Sequence, residues 1–371
     1  MTEQPGKPSV VSRVLSYRNI SWLLVVVVTA VVSVVLALIG LPSPVLFGSL
    51  VGGMVCALTR REELTLPKAT MTVGQGVIGV VIGAMVDLAT IRALGGDWAV
   101  ILGVLVATLV VSVLLGQALR LHRGVSGVTS AFAFIAGGAS GIVALARDLG
   151  SDERVVTVIQ YLRVLLILLA MPVITTVVFR PGQVEHGQAP QAAHSPWWVG
   201  TLFVLLCLPT GYALGRLTRL PSASLLGPLL VAVALSITGW FGPVEVPEVL
   251  QNLGYALIGV QIGLRFTRRS LLSIAKMLPL AVLLILAIIA ACAGLGVLLA
   301  QVTGVSQLDA YLATTPGGLY AVLATAAESG SNVTFVLAVQ VLRVFVMLLL
   351  APLLARLFRA SRAREPADTG G

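Results

Sequence analysis

Apolar positions fall in long blocks along the chain, separated by short polar stretches. Six blocks approach the ~20 residues a helix needs to cross the hydrocarbon core of a bilayer: Ile20–Ile39, Trp98–Leu119, Val155–Phe179, Trp197–Leu214, Leu278–Ala300 and Val333–Leu354. Shorter or glycine-interrupted apolar segments lie between them, near 44–58, 70–89, 125–146, 223–241, 249–264 and 307–327. The pattern predicts an all-α polytopic membrane protein. Composition agrees: of 371 residues 57% are hydrophobic and only 11% charged, with a mean hydropathy of +1.01, against about 25% charged in soluble domains. The first apolar run is too long for a signal peptide and ends in no small-residue cleavage pattern, so it reads as the first span.

The pattern repeats. IAGGASGIVALARDLGSDERVVTVIQYLRVLLILLAMP aligns with TPGGLYAVLATAAESGSNVTFVLAVQVLRVFVMLLLAP at a constant offset of 180, pairing Gly137 with Gly317, Gly138 with Gly318, Gln160 with Gln340, Arg163 with Arg343 and Pro172 with Pro352. Gly79 and Gly83 match Gly259 and Gly263 at the same offset, and LPSPVLFG (41–48) matches LPSASLLG (220–227) at 179. Residues 1–179 and 197–358 are therefore two membrane repeats, with the polar stretch 180–196 as linker and 359–371 as a cytoplasmic tail expected to be disordered.

Charge decides how the copies face the membrane. Lys and Arg concentrate in cytoplasmic loops. If all twelve segments span, those outside the spans divide 13 inside to 9 outside. If the fifth segment of each half is a re-entrant hairpin, each half has five spans and the second copy inverts. The division becomes 20 inside to 2 outside, Arg92 and Arg180. The expectation is two inverted repeats of about five spanning helices plus one broken or re-entrant hairpin each, in the inner (plasma) membrane with both termini cytoplasmic. The net charge of +9 is then a topology signal and needs no nucleic-acid partner.

The hairpin tips, AGGASG (136–141) and TPGGLY (315–320), break a helix, and such backbone survives at membrane depth only when buried in protein or lining a cavity. Inverted repeats with broken helices place a substrate site at the midplane. Half-helix N-termini there suit an anion, which makes Gly137, Gly138, Ser140, Thr314, Thr315, Gly317, Gly318 and Tyr320 candidate substrate-binding residues; alternatively the hydroxyls cap the broken helices. Arg163 and Arg343 lie roughly 15 Å deep at 1.5 Å per residue, approached from opposite sides, each with Gln160 or Gln340 three residues earlier on the same helical face. They either hold carbonyls freed at the tips or bind an anionic substrate. The Gly79–Gly83 and Gly259–Gly263 steps favour close helix packing, and the two LPS motifs mark kinked helix starts.

Several chemistries lack their residues. Asp87, Asp309 and Glu328 lie near segment ends, so no acid has a clear midplane position for proton or sodium exchange. His122, His186 and His194 fall in loops, and Cys56, Cys207 and Cys292 are isolated in apolar segments, so no metal-ligand set forms. No phosphate-binding nucleotide motif is present. No cofactor and no enzymatic activity are expected.

The twin LPS…G motifs, the GVVIGAMV/GVQIGLRF pair and the repeated GG…QxLRV…P halves resemble the AbrB-type duplicated membrane proteins over nearly the full chain. That family is named for a role in regulating gene expression, and members are also labelled ammonia monooxygenases, for which no ligand set exists here. Its layout is similar to the cation/proton antiporter and anion transporter group. The resemblance and the residues together imply a secondary transporter or exporter of a small anionic organic solute, working by alternating access. The alternative is a membrane-bound regulator that acts on expression indirectly. The expected partners are the lipid bilayer and a small-molecule solute, and a homodimer is compatible.

Overall fold

The computed structural model describes residues 10–59, 64–86, 96–121, 125–135, 151–179, 196–220, 222–242 and 244–362, with side chains described from residue 19 to 350 except 153–154, 269–270, 273 and 348–349. Among them there is no strand. The helices are α1 (Val10–Leu38), α2 (Pro44–Thr59), α3 (Lys68–Ala84), α4 (Trp98–Gln117, running into a 3₁₀ turn to Leu121), α5 (Gly127–Phe134), α6 (Glu153–Ile174, ending in a π turn, Thr175–Phe179), α7 (Trp197–Leu217), α8 (Ala223–Thr238), α9 (Glu248–Leu264), α10 (Arg268–Ser273), α11 (Leu278–Thr303), α12 (Gln307–Thr314), α13 (Leu319–Glu328) and α14 (Val333–Arg362).

The duplication is legible in these boundaries. α8 repeats α2 at the offset of 179, while α9, α12 and α14 begin 180 residues after α3, α5 and α6. Local signals repeat too. Ser126 caps α5 by accepting from the Thr129 amide, and Ser306 caps α12 by accepting from that of Asp309, each satisfying an orphan donor of a helix start. Both LPS serines, Ser43 and Ser222, precede their helices in the left-handed region, at φ 53° and 51°. The expected kinked helix starts are made by that conformation.

Five of the described helices are long and apolar enough to cross a bilayer, among them the N-terminal helix with Asn19–Leu38 and α11 with Leu278–Thr303. The shorter α2, α3, α8 and α9, of 16 or 17 residues, pack in the interior. On α1, Leu23, Val26, Val31 and Val34 stay exposed, as a lipid-facing surface requires.

Two bodies emerge from the packing. In the first, α1 lies on α2 and α7 on α8, while α2 packs on α9, α3 on α8, and α3 on α9. Helices of one repeat thus seat on those of the other, and each such contact occurs twice with the repeats exchanged. Glycines make this possible. A Cβ on Gly79 would run into the Leu225 carbonyl and one on Gly83 into that of Leu229; on Gly259 it would meet Leu46 and Ser49, and on Gly263 Leu50. These are the two small-residue steps of the sequence, serving close approach. The equivalent helices α3 and α9 cross antiparallel: Gly74 meets Leu257, Val77 meets Gly254, and Met71 meets Gln261.

The second body holds α4–α6 and α11–α14, with α4 against α11, α5 against α4 and α6, and α12 against α11 and α14. The bodies touch through α13 on α3 and through α10, which reaches both α2 and α6.

Candidate functional site

In the second repeat the fifth apolar segment breaks as the sequence predicts: α12 stops at Thr314, residues 315–318 run non-helically, and α13 starts at Leu319. The last carbonyls of such a half-helix have no partner within it. Gln340 Nε2 donates to the Leu312, Ala313 and Thr315 carbonyls at 2.7, 3.2 and 3.2 Å, and Arg343 donates through Nη1 to Thr315 O at 2.6 Å and through Nη2 to Gly317 O at 3.3 Å. The first repeat does the same. Gln160 Nε2 donates to Phe132 O and Ile135 O at 2.8 and 2.9 Å, and Arg163 donates to Phe134 O at 2.8 Å and to Gln160 Oε1 at 3.0 Å. All four side chains are buried, the arginines at 4% exposure.

A buried cation is costly unless it is paired. Neither arginine has an ion-pair partner among the described residues. Each instead sits at a half-helix C-terminus, where the aligned peptide dipoles carry about half a negative charge. The guanidinium is therefore matched to carbonyls. Its Nε in both repeats, and Gln340 Oε1, have no hydrogen-bond partner among the described residues.

The hydroxyls near the tip are turned back onto their own helix. Thr314 Oγ1 donates to Ala310 O at 2.9 Å and Thr315 Oγ1 to Tyr311 O at 2.6 Å. Gly318 opens α13 with no side-chain cap, and Tyr320 crosses to the first body to hydrogen-bond Ser222. Gly137, Gly138 and Ser140 lie outside the described residues.

A cavity of about 680 Å³ lies between the two bodies, within the ~300–1,000 Å³ range of small-molecule sites. Its walls come from the α3 N-terminal half (Lys68, Met71, Thr72, Gln75), the α9 C-terminus (Gln261, Leu264, Arg265), Ser224 of α8, Thr157, Val158 and Tyr161 of α6, and the flanking segments 64–66 and 266–271. The antiparallel crossing of α3 and α9 brings these ends together. Gln75, 4% exposed, accepts from the Ser224 hydroxyl. Arg265 lies over the Tyr161 ring, its Cζ 4.6 Å from the centroid, and donates to the Tyr161 hydroxyl. That contact joins the bodies across the cavity.

None of these lining residues belongs to the pairs that the repeat singles out. One signal was available: Gln75 and Gln261 interrupt otherwise apolar runs and also break the 180-residue match.

On the opposite face the two bodies are joined. There the Glu328 carboxylate at the end of α13 accepts the backbone N–H of Ser43, and Phe179 packs against Tyr311 with ring centroids 5.3 Å apart. The repeat-mates of the cavity residues are different in kind. Gln261 answers to Val81, Ser224 to Val45, Tyr161 to Val341, Thr157 to Leu337, Arg265 to Met85 and Lys68 to Glu248. Gln75 answers to Tyr255, which is fully buried with its hydroxyl taken by Gln251 Nε2 at 3.1 Å.

Sequence comparison places this architecture among known proteins. The family described as "Transition state regulatory protein AbrB" matches residues 45–359. The chain is 32% identical over 341 residues to the AbrB protein of Escherichia coli (strain K12), named as a candidate regulator, covering 91% of this chain and 96% of that one. It is 22% identical over 351 residues to the YhjN protein of Bacillus subtilis (strain 168), covering 90% and 91% respectively. A family match over most of a duplicated, membrane-spanning helical chain leads to one assignment: the chain belongs to the AbrB family of membrane proteins.

Proposed function

We propose that the protein is a secondary transporter of the inner membrane that moves a small anionic organic solute by alternating access. The observation that carries this reading is the cavity between the two bodies, open on one face while the Ser43 N–H and Glu328 join the bodies on the other. Broken helices and exchange-symmetric packing support it, since transporters of this build move one body against the other around a site near the midplane. Polar contacts link the bodies, Glu328 with Ser43, Tyr320 with Ser222, and Arg265 with Tyr161, beside a shared apolar core that includes Leu46 and Ile78 of the first and Val322 and Phe335 of the second.

The positive-inside rule supplies the orientation. In this reading the cavity face, which carries the loops on which Lys and Arg concentrate, faces the cytoplasm together with both termini. Trp197 and Trp198 at the start of α7 and Trp240 after α8 are exposed at the other end, where an interfacial aromatic belt belongs. The protein performs no covalent chemistry on its solute in this reading.

The name of the Escherichia coli relative favours a second reading, in which the protein affects gene expression. Export of a metabolite that controls expression reconciles the two without any contact with DNA.

Two measurements test the proposal. A cysteine at 224 should label from the cytoplasmic side with a membrane-impermeant maleimide, and one at 190 from the outside only; the reverse pattern overturns the orientation. Proteoliposomes should take up organic anions that accumulate in a deletion strain. Equal fluxes with and without protein would reject transport.

A further inference from the structure

We infer that the cavity is a binding site for an amphipathic monocarboxylate, held by Arg265 and Lys68 and covered along its body by apolar side chains. The inference rests on the transport reading for its cellular meaning, but the binding chemistry stands on the cavity alone.

Lys68 and Arg265 are the charged lining residues among those described, and both are cations. A site with no described acid and two cations selects an anion. Arg265 is also held in position. Set over the Tyr161 ring with one N–H given to the Tyr161 hydroxyl, the planar guanidinium keeps a donor fork for a ligand, and that geometry matches a carboxylate's two oxygens. Fixing it in advance lowers the ordering cost of binding.

The rest of the wall narrows the class. Leu64, Leu66, Met71, Leu264, Phe266 and Leu271 make much of the lining apolar, which suits a hydrocarbon or aromatic body and disfavours burying a second charge against that wall. At the inner end, Gln75 uses its carbonyl oxygen on Ser224, and Gln261 uses its amide nitrogen on the Met71 sulfur at 2.7 Å. This leaves the Gln75 N–H₂ group as donor and the Gln261 carbonyl as acceptor, on two helices that cross there. Together they can read one uncharged polar group, a hydroxyl or an amide.

The repeat-mates argue that this is a site and not a scaffold. Met85, Glu248, Val81, Val45 and Val341 occupy the equivalent positions of the other repeat, and none of them lines this cavity. Folding requires none of these polar residues; the cavity has them.

The test is equilibrium binding to the full chain in detergent. Isovalerate, octanoate, benzoate and phenylacetate are each compared with their primary amides, and with succinate and inorganic phosphate. Monocarboxylates should bind saturably and at least about tenfold more tightly than their amides, the factor expected of one charge-assisted pair, and succinate and phosphate should be weaker. Arg265→Gln should erase the acid-over-amide preference with the melting temperature unchanged; Met85→Gln should leave it intact. Should Arg265→Gln unfold the protein, Lys68→Gln and Tyr161→Leu serve instead, each reducing the preference. The inference is overturned if acids and amides bind alike, if phosphate or succinate binds best, or if the preference survives the cavity substitutions. Arg265-dependent binding without flux in proteoliposomes would refute the transport reading and leave the site; flux of another solute without carboxylate binding would do the converse.

Discussion

The two faces of the space between the bodies are built from the same repeat and do opposite things. On the cavity face, Gln75, Ser224, Gln261, Tyr161 and Arg265 are polar; on the opposite face, the positions equivalent to these five are Tyr255, which is buried, Val45, Val81, Val341 and Met85. Residues that hold the broken helices have not diverged in this way. Gln160 and Arg163 make in one repeat the bonds to half-helix carbonyls that Gln340 and Arg343 make in the other. A duplicated fold must keep twice whatever it needs twice. Free backbone carbonyls arise at each break, so the Gln–Arg pair is retained in both copies; under the transport proposal a ligand is gripped once per molecule, which needs its chemistry on one side alone.

The largest expected effect tests the retained pair. Arg343→Ala and Arg163→Ala each leave buried carbonyls without donors, at a cost of about 1–3 kcal/mol for each unsatisfied group. Both variants should lose monodisperse folded protein by gel filtration, to a similar degree. A folded Arg343→Ala protein with normal melting temperature and no flux would break the comparison, by moving that arginine to the side of ligand chemistry. Next come the helix crossings. Gly79→Leu and Gly259→Leu put a side chain where the Leu225 and Leu46 backbones already lie. Overpacking of this kind costs about 1–3 kcal/mol or more, and the two should lower the melting temperature equally.

A smaller thermodynamic effect with a large functional one is expected at the cavity. Gln75→Leu should keep the melting temperature within a few degrees while cutting solute uptake at least about tenfold, on the scale of one or two lost hydrogen bonds. Its counterpart Tyr255→Phe should leave uptake unchanged. Equal losses from both would show that the faces share the site. The smallest change is a gain. Ser43 holds a left-handed φ of 53°. Glycine adopts that conformation freely, so Ser43→Gly should raise stability by about 1 kcal/mol, read as a small upward shift of melting temperature.

How much of this was visible in the chain follows from the same division. The 180-residue offset put Gln160 over Gln340 and Arg163 over Arg343, and element boundaries follow that offset because identical local signals, such as the Ser126 and Ser306 caps, recur. Gly79–Gly83 and Gly259–Gly263 read directly as close packing because small residues at that spacing have one main use in membrane helices. The sequence also offered carbonyl capping as one role for the arginines, though only coordinates show Phe134 and Thr315 as the acceptors. The cavity was hidden. Gln75 and Ser224 are 149 positions apart, and nothing local announces that α3 and α9 cross antiparallel there. Repetition made the scaffold legible; the site consists of departures from repetition, and a departure looks like noise until a fold assembles several in one place.

The reciprocal seating of α2 on α9 and α8 on α3 carries a consequence for how such a chain can be taken apart. Each half presents glycine-lined grooves that only the other half fills, which is the arrangement of a two-fold dimer whose subunits have been joined by a linker. Severed between 180 and 195 and co-expressed, the halves should find each other and copurify, while either alone should aggregate or be degraded. Joining them fixes what two separate copies could not guarantee: that one of each kind is inserted.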